Sequence, residues 1–279
     1  MREINSSIIT DRVAKMCVDA NCNLNSDILN AINKGAENET NEIACNILNS
    51  IIENAEIAKN KQMPICQDTG MAILFVEVGQ DVHVKGNLTE AINLGVKKGY
   101  GEGYLRKSVV KDPIRRGNTG DNTPAIIHYD IVEGDKIKIT FMPKGFGSEN
   151  MSRLKMLKPS DGAEGVIDFV VETVCLGGSN PCPPIVVGVG IGGSMEKAAL
   201  LSKKALSRPV DSSNEDEYYA GMERLLLEKI NLTGVGPQGL GGKTTALGVN
   251  IETFPTHIAG LPVAVTISCH VTRHIEEII

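Results

Sequence analysis

Apolar residues recur along the first sixty positions at the spacing of helix faces. Between 38 and 59, Ile43, Ile47 and Ile51 run beside Ala44, Leu48, Ile52 and Ala55 in an i, i+4 stripe. A strand, with its period of two, would not produce it. A shorter helix is expected to start near Ser26 and stop at Gly35, and another to cover about 7–20. The pattern then changes. Residues 71–78 form an apolar run of buried-strand length, and 88–99 return to a helical pattern with a cap near Thr89. Residues 124–132 and 136–142 read as strands joined by Glu133-Gly134-Asp135, a hairpin signal. Residues 160–176 are helical, with Ile167, Val170, Val171 and Val174 on one face, and short strand runs follow at 246–251 and 261–267. The expected class is α/β, mixed α and β: a helical N-terminal segment followed by mixed sheets flanked by helices, in a single domain over 1–279.

Composition narrows the function. With 42% apolar residues, no Trp, 5 Phe and 5 Tyr, the core must be aliphatic. A net charge of -6 argues against a nucleic-acid partner, which needs a basic excess or stripe, yet leaves room for a small anionic substrate. No apolar run reaches 18 residues, so no membrane-spanning helix is expected. The opening Met1-Arg2-Glu3-Ile4-Asn5-Ser6 lacks the apolar stretch and cleavage site of a secretory leader. Seven cysteines, an odd count, suit a reducing compartment, and a cytoplasmic location is expected. Cys17 and Cys45 lie beside apolar stripe positions and read as small core residues.

Two glycine patterns suggest nucleotides and fail. Gly188-Val189-Gly190-Ile191-Gly192-Gly193 follows an apolar run, but no βαβ unit with an acidic residue about twenty positions on is evident, and a tight strand-to-helix turn explains the glycines. The stretch 236–244 ends like a phosphate-binding loop, but Pro237, without an N–H, replaces its first glycine. Arg115 and Arg116 either sit on a solvated surface or face an anion.

The chemistry concentrates in loops. Pro64-Ile65-Cys66-Gln67-Asp68-Thr69-Gly70 puts a thiol, an amide, a carboxylate and a glycine in a row between a helix and a strand. Pro181-Cys182-Pro183-Pro184 and Ser268-Cys269-His270 are two more unusual cysteine settings. Lys144-Gly145-Phe146-Gly147 is either a mobile turn or a backbone cradle for an oxyanion. His257, after Pro255-Thr256, sits in a polar turn where a packed core histidine is not expected. Cys269 with His270 and His274, four apart and on one face if helical, could serve zinc in a scaffold protein, though paired short ligand spacings are absent. Cys66, Cys182 and Cys269 are separated by 116 and 87 residues, which excludes the compact ferredoxin spacing. Three thiolates from distant loops could instead hold a four-iron cluster with one iron open to substrate, in an enzyme or a redox sensor.

The motifs Ile-Cys-Gln-Asp-Thr-Gly at 65–70, Asp-Asn-Thr-Pro-Ala at 121–125, Lys-Gly-Phe-Gly-Ser-Glu-Asn at 144–150, Cys-Pro-Pro at 182–184 and Pro-Thr-His at 255–257 resemble the class I, iron-sulfur fumarate hydratase family, which includes L-tartrate dehydratase. The resemblance runs through essentially the whole chain. It implies a hydro-lyase alpha subunit with a [4Fe-4S] cluster on Cys66, Cys182 and Cys269, whose remaining iron is a Lewis acid toward a small dicarboxylate. It implies that Gln67, Arg106, Gly145 and Gly147 bind substrate and that His257 and Asp68 act in catalysis. Phe146 stands where some members carry a glycine. A beta subunit is expected to supply the second half of the site, including the base, with a homodimer of alpha chains or an alpha2-beta2 assembly. Fumarate hydration to (S)-malate is the expected reaction, and L(+)-tartrate dehydration the alternative.

Overall fold

The computed structural model describes residues 2–279. In chain order, β1 (Arg2–Asn5), α1 (Ser6–Cys22), α2 (Ser26–Asn38) and α3 (Glu42–Lys61) precede β2 (Met71–Gly79), β3 (Val82–Lys85), α4 (Leu88–Glu102), β4 (Ile126–Val132) and β5 (Ile137–Lys144). Then come α5 (Phe146–Glu149), β6 (Arg153–Leu157), α6 (Gly162–Gly177), β7 (Ile185–Gly192), α7 (Met195–Ala205), α8 (Glu217–Asn231), β8 (Ala246–Phe254), β9 (Leu261–Ser268) and β10 (Ile275–Ile278). The mixed α/β class read from the pattern is the class observed. The residues divide into two compact units: 2–24 with Ala55–Phe146 and Arg273–Ile279, and Asn25–Asn54 with Gly147–Thr272.

In the first unit the sheet order is β10-β5-β2-β4. The expected hairpin between β4 and β5 does not form, because β2 lies between them, parallel to β4 and antiparallel to β5. β2 is the apolar run and is buried along most of its length, so it needs partners on both edges. Helices α1 and α4 pack on this sheet, with Val13, Met16 and Cys17 meeting Ile92, Val96 and Tyr100 in one core with Leu74 and Phe141. Gly95 and Gly99 let the two helices approach. A methyl there would lie 2.7 Å from the Thr10 carbonyl oxygen and 2.5 Å from that of Ala14. Cys17 is the core residue its setting suggested, and burial pushes its thiol up. The cap of α4 is Asn87 rather than Thr89, its side chain accepting from the Glu90 amide at 3.1 Å.

In the second unit the order is β6-β9-β7-β8. β7 is buried throughout, which the strand period explains. Val187 and Val189 join the core built with α6 and α8, and Gly188 and Gly190 face α7 on the other side. β7 and β8 run parallel with α7 and α8 between them, so a crossover exists where none was evident. Its glycines are explained by packing: a methyl on Gly190 would sit 2.1 Å from the Ala198 carbonyl oxygen. Gly190→Ala is therefore expected to force α7 off the sheet. Overpacking of this kind costs about 1–3 kcal/mol, and a thermal melt should show a midpoint lower by several degrees. Helix α2 continues through Gly35, whose missing side chain leaves room for Thr244, with 3.0 Å between a methyl there and Thr244 Cγ2. On α3, Ala44 and Leu48 are buried, but Ile43 is exposed. Ile43, Ile47 and Ile51 border an open groove of about 520 Å³ with Gln238, Leu240 and His270. Among the described residues no helix is long and apolar enough to cross a membrane.

Candidate functional site

The Cys66 loop joins α3 to β2 and is fixed from several sides. Its entry is tied to α1 by the Ile65 amide, which donates to the Asn21 carbonyl at 2.9 Å. Its exit is held by Tyr100, fully buried, whose hydroxyl donates to the carbonyls of Thr69 at 2.7 Å and Gly70 at 3.1 Å. Burial pushes that phenol well up, so it stays a donor. Asn122, also buried, donates to the Gly70 carbonyl at 3.2 Å and accepts from the amides of Ser108 and Val109. Gly70 has φ 75°, and a methyl there would lie 2.7 Å from the Lys144 nitrogen.

Within this frame Cys66 is half-buried and Gln67 exposed. The Cys66 sulfur accepts from the Asp68 amide at 3.4 Å. The Asp68 carboxylate accepts from the amides of Gly70 and Phe146, each at 3.0 Å, so it braces the loop against the turn after β5. Gly145 lies against it, since a methyl there would be 3.1 Å from Asp68 Oδ2. Arg106 is exposed, and its carbonyl accepts from the Thr69 hydroxyl at 3.1 Å, which places the residue beside the loop. Lys144 is buried and donates to the Gly145 carbonyl at 3.2 Å. Sequence reasoning gave no part to Tyr100, Asn122 or Lys144. Only their place in quoted motifs, for the last two, could have marked them.

The second unit brings Cys182 and Cys269 to one end of its sheet. Cys182 lies three residues before β7 and Cys269 directly after β9, and these strands pair Val186 with Ser268 at that end. His270 closes the gap, its Nδ1 lying 2.9 Å from the Cys182 carbonyl oxygen. Gln238 fixes the same loop through its amide and side chain, both donating to the Pro183 carbonyl, at 2.7 and 2.9 Å. Cys182 is exposed, with φ 55°, and Cys269 is half-buried. Gly147, in the single helical turn α5, is near the Asn180 carbonyl oxygen, 3.9 Å from a methyl built there.

His257 is elsewhere. It sits in the turn between β8 and β9, at the opposite end of the sheet from Cys182 and Cys269, and the adjacent Thr256 is anchored to the Gly193 carbonyl at 2.8 Å. Its Nδ1 accepts from the Ala259 amide at 3.2 Å, so in the neutral ring Nε2 carries the proton and is the outward donor. It borders a depression of about 370 Å³ with Tyr218, Tyr219, Met222 and Leu261. Arg115 and Arg116 are both exposed, in line with a solvated surface.

The three thiols are of the donor type that an iron-sulfur cluster takes. None of the seven cysteines is in a disulfide, and Cys66, Cys182 and Cys269 are all reachable at the surface of their units. The amide on the Cys66 sulfur is the kind of donor that supports a ligating thiolate. The zinc reading fares worse. Residues 269–274 form a turn and an irregular stretch, not a helix, so His270 and His274 do not share a helix face as one zinc site on that element would need.

Known proteins agree with the resemblance. The chain is 45% identical over 271 residues to the "Putative L(+)-tartrate dehydratase subunit alpha" of Methanocaldococcus jannaschii, covering 95% of both. It is 34% identical over 268 residues to the L(+)-tartrate dehydratase subunit alpha of Escherichia coli, strains UTI89 and K12, covering 95% of this chain and 88% of each relative. The family model described as fumarate hydratase (Fumerase) matches residues 10–277, and on this match and these relatives the chain belongs to the fumarate hydratase family, as an alpha subunit.

Proposed function

We propose that this chain is the cluster-binding subunit of an iron-sulfur hydro-lyase that interconverts fumarate and (S)-malate, completed by a beta subunit. The observation that carries the reading is the meeting of Cys182 and Cys269 at one sheet end, with Cys66 held in a loop of fixed shape. We assign all three thiolates to one [4Fe-4S] cluster. When bound, it supplies a Lewis acid for the departing hydroxide, a poor leaving group.

The protein's own residues do the rest. Arg106 is exposed, and its planar fork suits both oxygens of one carboxylate. Gln67, one residue from a ligand, offers an amide donor to the second carboxylate or the hydroxyl. The backbone at Gly145 and Gly147, free of side chains, can approach the substrate closely. Asp68 has its carboxylate turned to two amides, so its part in catalysis is to hold Gln67 and Gly145 in register. The base that takes the proton beside the carboxylate is assigned to the beta subunit.

We assign His257 to the site of a second alpha chain. Strand β7, of 8 residues, spans roughly 25 Å, and a four-carbon acid held at its cysteine end cannot touch a histidine beyond its other end. His257 therefore serves the site of a partner copy, where its Nε2–H can orient the substrate or move a proton. The surroundings suit such a contact: Ile258 is 90% exposed, and Phe254 and Tyr218 are exposed beside it.

A second reading, dehydration of L(+)-tartrate, is favoured by the names of the relatives. The two hydrated substrates differ by one hydroxyl, which a site built to hydrogen-bond it would discriminate strongly. Anaerobic coexpression with the beta subunit, then kinetics on malate, fumarate and both tartrate enantiomers, decides. The highest kcat/KM is expected for malate and fumarate. A higher value on L(+)-tartrate would replace the first reading with the second, and no turnover with a cluster present would point to a sensor.

A further inference from the structure

Arg273, four residues beyond Cys269 in sequence, is only 3% exposed. One of its donors is used, Nη2 to the Asp68 carbonyl oxygen at 2.9 Å. Nε and Nη1 are sealed from solvent and meet no acceptor among the described residues. The Tyr100 phenol and the Cys22 thiol sense this charge, each raised chiefly by burial and drawn back by the guanidinium. Asp68 meets the guanidinium through its carbonyl, while its carboxylate, a nearby negative charge, is hydrogen-bonded to the amides of Gly70 and Phe146 and leaves those two donors unmet.

A buried guanidinium with two donors unmet is costly, and proteins rarely keep one. An internal water can meet the two idle donors, but it adds no negative charge. Added negative charge is therefore favourable beside this side chain, and the loop that Arg273 holds is a place for it. Asp68, whose carbonyl Arg273 holds, gives its own amide to the Cys66 sulfur at 3.4 Å.

We propose that Arg273 is a positioning residue for Cys66: it holds the loop at Asp68, and its positive charge offsets the negative charge the loop gains once Cys66 carries the cluster as a thiolate. The inference rests on the cluster reading above. It has a consequence that an ordinary structural arginine lacks. The cluster-free chain bears the cost of two buried donors left unmet, and the loaded chain benefits from the positive charge, so removing the guanidinium should act with opposite signs on the two states.

The test compares wild-type, Arg273→Met and Arg273→Lys full-length chains, cluster-free and anaerobically reconstituted. The expected result for Arg273→Met is a cluster-free thermal midpoint equal to wild type or higher, with iron lost to a chelator about tenfold faster, a factor that corresponds to ~1.4 kcal/mol. Arg273→Lys, which keeps the charge without the fork, should release iron at an intermediate rate. A lower cluster-free midpoint in Arg273→Met, or iron release at the wild-type rate, would overturn the proposal. Failure of the wild-type chain to take up iron and sulfide would sink the cluster reading by itself. The midpoint comparison would then still judge Arg273.

Discussion

Replacing Cys66 with serine is expected to leave a folded chain that holds no complete cluster and has lost hydro-lyase activity by on the order of 1,000-fold or more. The size follows from what is removed. A Lewis acid at the leaving hydroxide contributes several kcal/mol of transition-state stabilisation, and each ~1.4 kcal/mol is a factor of ten. The fold should survive because Cys66 is half-buried and its sulfur accepts a hydrogen bond from the Asp68 amide, which a serine hydroxyl can also accept. The anchors of the loop are at other residues, the Tyr100 hydroxyl and the Asn122 amide. Cys175→Ser is the control: that thiol is exposed on α6, outside the proposed ligand set, and its loss should leave iron content unchanged. Iron and sulfide analysis of anaerobically purified protein, with circular dichroism, measures both halves of the expectation. Wild-type iron content and turnover in Cys66→Ser would remove Cys66 from the ligand set.

What the sequence made legible follows from the range of each interaction. Helices α1, α3, α4 and α6 and strands β2, β7 and β9 declare themselves through periodicity or unbroken apolar runs, because their burial is written into neighbouring residues. Strands β1, β3, β6 and β10 leave no such mark, being 4 or 5 residues long and mostly half-exposed or exposed. Their existence depends on partners far along the chain, such as β10 on β5. The Glu133-Gly134-Asp135 turn reads as a hairpin locally, and only the more buried β2, sixty residues earlier, decides otherwise. The two units left no trace in composition, since one crossing between them, at 54–55, falls inside α3, where no linker exists. In the site, the cysteine loops could be read as chemistry from residue type and setting. Tyr100, Asn122 and Arg273 could not, because each matters through a contact with a residue at least thirty positions away, and a tyrosine near a helix end looks like any other until the fold brings it under Thr69.

A mixture of two inactive alpha chains, one Cys182→Ser and the other His257→Ala, is expected to regain about a quarter of wild-type activity when refolded or coexpressed with the beta subunit. Each single variant should be weak on its own. Loss of Cys182 removes a proposed cluster ligand, and loss of a donor or proton carrier at His257 costs about 100- to 10,000-fold. In a two-fold dimer whose sites each join the cysteines of one chain to the His257 of its partner, a mixed pair has one site with both defects and one with neither. Random pairing makes about half of the dimers mixed, and half of their sites are sound, which sets the quarter. Two purification tags, one on each variant, establish that mixed pairs form. Their failure to recover activity would show that His257 does not serve a partner's site. Full activity of His257→Ala alone would take the residue out of the site altogether. The reasoning needs only the second unit: Cys182 and Cys269 cap one end of its sheet, His257 the other, and the eight residues of β7 keep them apart.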